Sequence, residues 1–151
     1  MDITFNIPHA FSPSSPEDEN SDVLRVLLDC QVRLNLAYLR YHTVPALYQS
    51  GVVYGRTIIW ESIPAIRARG YGDCKSLAPW LIAENSLMGI PCTPVFRFIR
   101  RADGSNELDF HILVMRMDNN QFLDPSRELG MGRNENMGLS RRGTRTIMVD
   151  R

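Results

Sequence analysis

The chain has 151 residues, 44% hydrophobic and 23% charged, with a formal net charge of zero. That size suits one domain with a single core that needs no disulfides. Zero net charge argues against bulk electrostatic capture of nucleic acid or an anionic membrane. Residues 1–20 combine proline, serine and acid and predict an extended or flexible segment. From Asp22 to about His42 the apolar residues Val23, Val26, Leu27, Cys30, Leu34, Ala37, Tyr38 and Tyr41 recur at helical spacing, with Asn20 or Ser21 as cap. On that face Cys30 reads as a buried small hydrophobe. Pro45 closes the region, and residues 45–55 read as an ordered loop with a short extended piece. A second helix is expected from about Ile58 to Arg69, with Pro64 near its start and Gly70 as its stop.

The third helix is expected from Asp73, as N-cap, to about Met88, where Gly89 and Pro91 end it. Pro79 lies inside it and deletes one backbone bond, which predicts either a kink or a regular part starting near Ser76. Beyond Gly89 the pattern changes to sheet. Thr93–Arg101 and Glu107–Met117 read as a hairpin around the turn 102–105, and Gln121–Asp124 follows as a third strand after Asp118–Asn120. The tail from Gly130 reads as loop, with Thr146–Val149 as a candidate edge strand. The expected fold is α+β, N-terminal helices packed on a small antiparallel sheet, with the domain over residues 21–130 and an Arg-rich tail over 131–151.

The cysteines Cys30, Cys74 and Cys92 are odd in number and far apart, with no CxxC. A reducing compartment fits, and no metal-ligand spacing is present. The first 20 residues carry neither a basic start nor an apolar run of signal length, and no stretch has transmembrane length, so the expectation is cytoplasmic. The cations are sixteen arginines and a single lysine, Lys75, a bias that genome base composition alone can give. Arg141, Arg142 and Arg145 read as part of a solvated tail, with contact to nucleic acid or an acidic partner as the alternative.

Cys74 carries the chemical signal. It follows Gly70-Tyr71-Gly72-Asp73 and opens a helix, where unpaired amides and partial positive charge favour a thiolate. His111 follows in a strand and Asp124 at the end of the next, before Pro125. A thiol, an imidazole and a carboxylate on three converging elements make an activated nucleophile: the histidine pairs with the thiolate and the aspartate orients the histidine. Alternation sets Asp109, His111, Leu113 and Met115 on one strand face. The backbone N–H of Cys74 is a candidate oxyanion donor. Cys92 reads as structural; in a weaker redox reading it would resolve a Cys74 disulfide.

The run GDCKSLAPWLIAENSLMGIP, the strand with His111 and the strand ending in Asp124-Pro125 resemble the transglutaminase-like superfamily of papain-like cysteine enzymes. That resemblance covers residues 70–126. It implies Cys74 as nucleophile, His111 as general base, Asp124 as orienting acid, a papain-like core, a protein or peptide substrate and no cofactor or metal. The family's upstream oxyanion residue has no motif here, leaving Gln49, Tyr54 and Trp60 as candidates. The residue after the histidine is Ile112, where relatives often carry an aromatic. PALYQSGVVYG, GYGDC and DPSRELGM further resemble small members encoded by tailed bacteriophages and prophages. That implies a virion or the host cytoplasm, with other virion or assembly proteins as partners; the composition separately argues against a membrane or nucleic acid as partner. A non-catalytic virion component that keeps the fold is the alternative function.

Overall fold

The computed structural model describes residues 17–100, 104 and 108–132. Helix α1 (Glu17–Tyr41) packs on α3 (Cys74–Leu87), and α3 packs on strand β4 (Leu108–Arg116). Strands β3 (Cys92–Arg100), β4 and β5 (Phe122–Leu123) form an antiparallel meander in that order. Four smaller pieces complete the fold: a 3₁₀ turn at Leu47–Gln49, a two-residue parallel pair of β1 (Val53–Tyr54) with β2 (Tyr71–Gly72), and the short helices α2 (Ile63–Arg69) and α4 (Pro125–Glu128). The architecture is α+β, helices on a small antiparallel sheet, as expected. Of the segments read from sequence, residues 1–16, all of the 102–105 turn but Gly104, the arginine tail from 133 and the strand at 146–149 lie outside the described residues.

The core is built around α3. Leu77, Ala78 and Trp80 are fully buried, with Leu28, Leu47, Ile63, Ile66, Ile112 and Val114 around them. Pro79 sits inside α3, fully buried, yet the helix runs unbroken from Cys74, so it does not start late at Ser76. Neighbours cover this helix throughout its middle, and that packing outweighs one missing backbone bond. Its C-terminus closes as a Schellman motif: Gly89 takes φ 74°, and the amides of Ile90 and Gly89 donate to Asn85 and Ser86 carbonyls at 2.9 and 3.1 Å. Leu113 is buried as well as its neighbours Ile112 and Val114, so β4 is covered on both faces at this point rather than alternating cleanly.

Three expectations need correction. The flexible segment does not extend to residue 20: α1 already begins at Glu17, and Asn20 is buried. The buried line of α1 is Asn20, Leu24, Leu28, Gln31 and Asn35, not the line through Val26, Cys30 and Leu34, and Cys30 is exposed. A hydrogen bond fixes this orientation: Asn35 Oδ1 accepts the Ile63 amide at 3.1 Å, serving the first turn of α2 where the side chain of Ser62 makes no cap bond. Finally, α2 starts at Ile63, not Ile58. Pro64 has no N–H to offer the Trp60 carbonyl and its ring would clash there, so the helix cannot extend backward through residue 60.

Candidate active site

The cysteine turn is held from outside by β1. The Val53 and Gly55 amides donate to the Gly70 and Gly72 carbonyls at 3.1 and 2.9 Å, while the Tyr54 amide donates to Leu129 at 2.8 Å. The three residues 53–55 therefore tie the turn before Cys74 to the segment just after Asp124. Gly70 takes φ 85°, which a side chain would strain. At Gly72 a Cβ would stand 3.3 Å from Ile66 Cγ2, so the chain approaches α2 more closely than most side chains allow.

Asp73 occupies the N-cap position of α3 but its carboxylate caps nothing there. Its Oδ2 instead accepts the Thr57 amide at 3.1 Å and pairs with Lys75 Nζ, which also donates to the Thr57 carbonyl at 2.5 Å. Both side chains are about nine-tenths buried. The only lysine of the chain thus closes a buried clamp on either side of Cys74, holding the loop of residues 56–62 against the turn. The Glu61 amide adds a bond to Ser76 Oγ at 3.3 Å.

Cys74 is the first residue of α3 and is buried at 9% exposure. His111 lies in β4 opposite Arg97, part-buried, and its Nε2 is 3.0 Å from Asp124 Oδ2. The Cys74 sulfur lies near enough to this ring to help raise its pKa. With Nε2 on Asp124, Nδ1 is the nitrogen left for Cys74. Asp124 does two jobs: Oδ2 holds His111, and Oδ1 accepts the Arg127 amide at 3.1 Å as the cap of α4.

The charges follow from this geometry. Burial alone would lower the His111 pKa, but the hydrogen bond to Asp124, the neighbouring Cys74 and the Asp124 charge outweigh it and push it up to about 9. Burial likewise would raise Asp124, but the His111 bond and charge, with help from the Arg127 amide, hold it below the ordinary carboxylate value. Both partners shift as an ion pair does, so at neutral pH His111 is an imidazolium.

The three oxyanion candidates separate. Gln49 is exposed on the 3₁₀ turn. Trp60 packs half-buried against the core from the clamped loop. Tyr54 pairs in register with Gly72, and its pKa is raised first by burial and then by the nearby Cys74 sulfur, against a lowering hydrogen bond from Arg56. Its phenol therefore stays protonated beside the nucleophile, a donor held by Arg56. Tyr48 is pushed up to about 12 by burial and by the carboxylates of Glu128, Asp124 and Glu84.

Cys92 stands apart from the histidine of the candidate site. It begins β3 five residues before Arg97, the partner of His111, which puts it roughly 17 Å along the sheet from His111. A disulfide needs Cα atoms within about 7 Å. All three cysteines are free.

The structure thus brings together Cys74, His111, Asp124 and Tyr54 of the residues singled out from sequence. Sequence reasoning missed Arg56, Thr57 and Lys75. Lys75 carried a signal: a lone lysine next to the nucleophile in a chain that otherwise uses arginine. Among the described residues no cluster of three His, Cys, Asp or Glu side chains could hold a metal, and no helix is long and apolar enough to cross a membrane. No family model, curated protein or solved structure matches the chain.

Proposed function

We propose that this protein is a transglutaminase-like cysteine enzyme that cleaves or transfers an amide or peptide acyl group through Cys74, His111 and Asp124. The observation that carries the reading is the position of His111, hydrogen-bonded to a carboxylate and near the sulfur at a helix N-terminus. Cys74 Sγ attacks the carbonyl carbon, and the oxyanion forms against the Cys74 N–H and the Tyr54 hydroxyl. His111, already protonated, gives its proton to the leaving amine as the C–N bond breaks, leaving a thioester. It then takes a proton from water, or from a second amine, which attacks the thioester and frees Cys74. Asp124 holds the ring in the tautomer that both steps need. A protein or peptide is the proposed substrate, in a phage virion or its host cytoplasm.

Alkylation by iodoacetamide at pH 7, read by peptide mass, tests the constellation before any substrate is known. Cys74 should label readily, and His111→Ala should slow it about tenfold or more while leaving Cys30 unchanged. Equal rates in both proteins would remove the ion pair and the reading with it. On an amide substrate found by screening, Cys74→Ala should lower turnover by at least about a thousandfold, with circular dichroism unaltered. The alternative, a virion component that keeps the fold without turnover, draws on the uncovered apolar line of α1 and predicts full function for Cys74→Ala.

A further inference from the structure

Helix α1 carries more apolar surface than the other described residues cover. Beside its buried line runs a second, through Val23, Leu27, Cys30, Leu34, Ala37 and Tyr41, spaced four and three residues apart in strict alternation. Leu34 is 53% and Tyr41 84% exposed; Cys30 and Ala37 are exposed too, and Val26 flanks the line at 60%. A solvated face has no need of the 4-3 repeat. It is the seam of a helix that packs knobs-into-holes on another helix.

We propose that this stripe pairs with the same stripe of a second copy, antiparallel, about a two-fold axis crossing near Val32. Side-chain volumes favour that direction. It sets Leu27 opposite Ala37, Cys30 opposite Leu34 and Val23 opposite Tyr41, each layer matching a large residue with a smaller one. A parallel pair would stack alanine on alanine and tyrosine on tyrosine, a void beside a collision. Charge favours it as well. Asp22 and Asp29 are exposed along one side of the stripe in its first half, and Arg33 and Arg40 along the same side in its second. The antiparallel arrangement brings Asp29 near Arg33 of the second copy and Asp22 near its Arg40, whereas a parallel one turns this charged flank away from the same flank of its partner and forms neither pair.

The stripe is about 27 Å long at 1.5 Å per residue. A contact of that length and roughly one helix width buries on the order of 1,000 Å² over both copies, the lower end of specific interfaces. The dimer should therefore form at about micromolar concentration.

Sedimentation of the full chain from about 1 to 100 µM tests this. The mass should rise from 17.2 kDa toward twice that value, and Leu34→Glu should hold it at the monomer. Direction is tested by crosslinking. Leu34→Cys faces native Cys30 of the second copy, so mild oxidation should give a covalent dimer that Cys30→Ser abolishes. Wild type should not crosslink through Cys30, since the two Cys30 Cα atoms would stand about 10 Å apart. A chain monomeric throughout overturns the proposal and leaves the stripe to residues outside the described part or to another protein. A dimer indifferent to Leu34→Glu overturns the surface, and a Cys30–Cys30 crosslink overturns the direction. The crosslink still decides if Leu34→Glu fails to fold.

Discussion

Helices α3 and α1 are both rich in apolar residues, and the fold uses them in opposite ways. From Cys74 through Ala83 every residue of α3 is buried. It had no face to choose, and the charges at its start, Asp73 and Lys75, went inside as a pair. Helix α1 offers two apolar stripes, and the fold buried the one that includes Asn20, Gln31 and Asn35. A helix enclosed by neighbours is oriented by packing alone. A helix at the surface can be turned by one hydrogen bond, here that of Asn35 to the start of α2.

The strongest way to break the comparison is to unpair the buried charges of α3. Lys75→Met leaves the Asp73 carboxylate buried without its cation and should cost about 3–5 kcal/mol in urea denaturation. Adding Asp73→Asn should restore much of that, because no buried charge then remains. A neutral Lys75→Met would mean that the clamp contributes nothing and that packing of Glu61 and Trp60 holds the loop. On α1 the corresponding change is Asn35→Ala, which orphans the Ile63 amide and should cost about 1–3 kcal/mol. If it costs less than Leu34→Glu, the orientation of α1 has another cause.

How far the sequence could be read follows the same division. The order of helices and strands, the meander and the Cys74, His111 and Asp124 elements were legible, because glycine and proline punctuate them and α3 needs no facing. The face of α1 was not. Hydrophobic periodicity marks every apolar stripe, and only the structure shows which one meets the core. The start of α2 was misplaced for a related reason: Ile58, Ile59 and Trp60 look helical in isolation, yet Ile58 is 98% exposed in a loop clamped by Asp73 and Lys75. Tyr54 could be named but not chosen over Gln49 and Trp60, since the β1–β2 pairing that brings it to Gly72 is two residues long and leaves no periodic trace.

Asp124 sharpens the comparison on a smaller scale, since its two oxygens separate structure from chemistry. Asp124→Ala loses both the α4 cap and the His111 partner, and should destabilise by about 1 kcal/mol more than Asp124→Asn, which keeps a capping oxygen. Both should lose activity. The pH dependence checks the ion pair. His111 has a folded pKa of about 9 against an ordinary 6.5, so its contribution to stability is complete below about 6.5 and lost as pH rises toward 9. Asp124, shifted below 3.8, contributes above that value and loses its share as pH falls through its lower folded pKa. Melting temperature should therefore decline between pH 6.5 and 9 in wild type, and less so in Asp124→Asn. An identical decline in both would assign it to other groups.

The smallest effect on stability belongs to the largest exposed residues. Leu34→Glu removes an apolar side chain from water rather than from the core, so in the dilute monomer it should change unfolding free energy by no more than about 0.5 kcal/mol. At concentrations where the chain pairs, wild type should gain stability with concentration and the variant should not, because only the wild-type folded state is drained into a dimer. The two measurements together separate a helix face that the fold merely tolerates from one kept for a partner. A concentration-independent melting temperature in both proteins would make the stripe a tolerated face, and the 4-3 repeat of α1 would then mark only the surface that lost to Asn35.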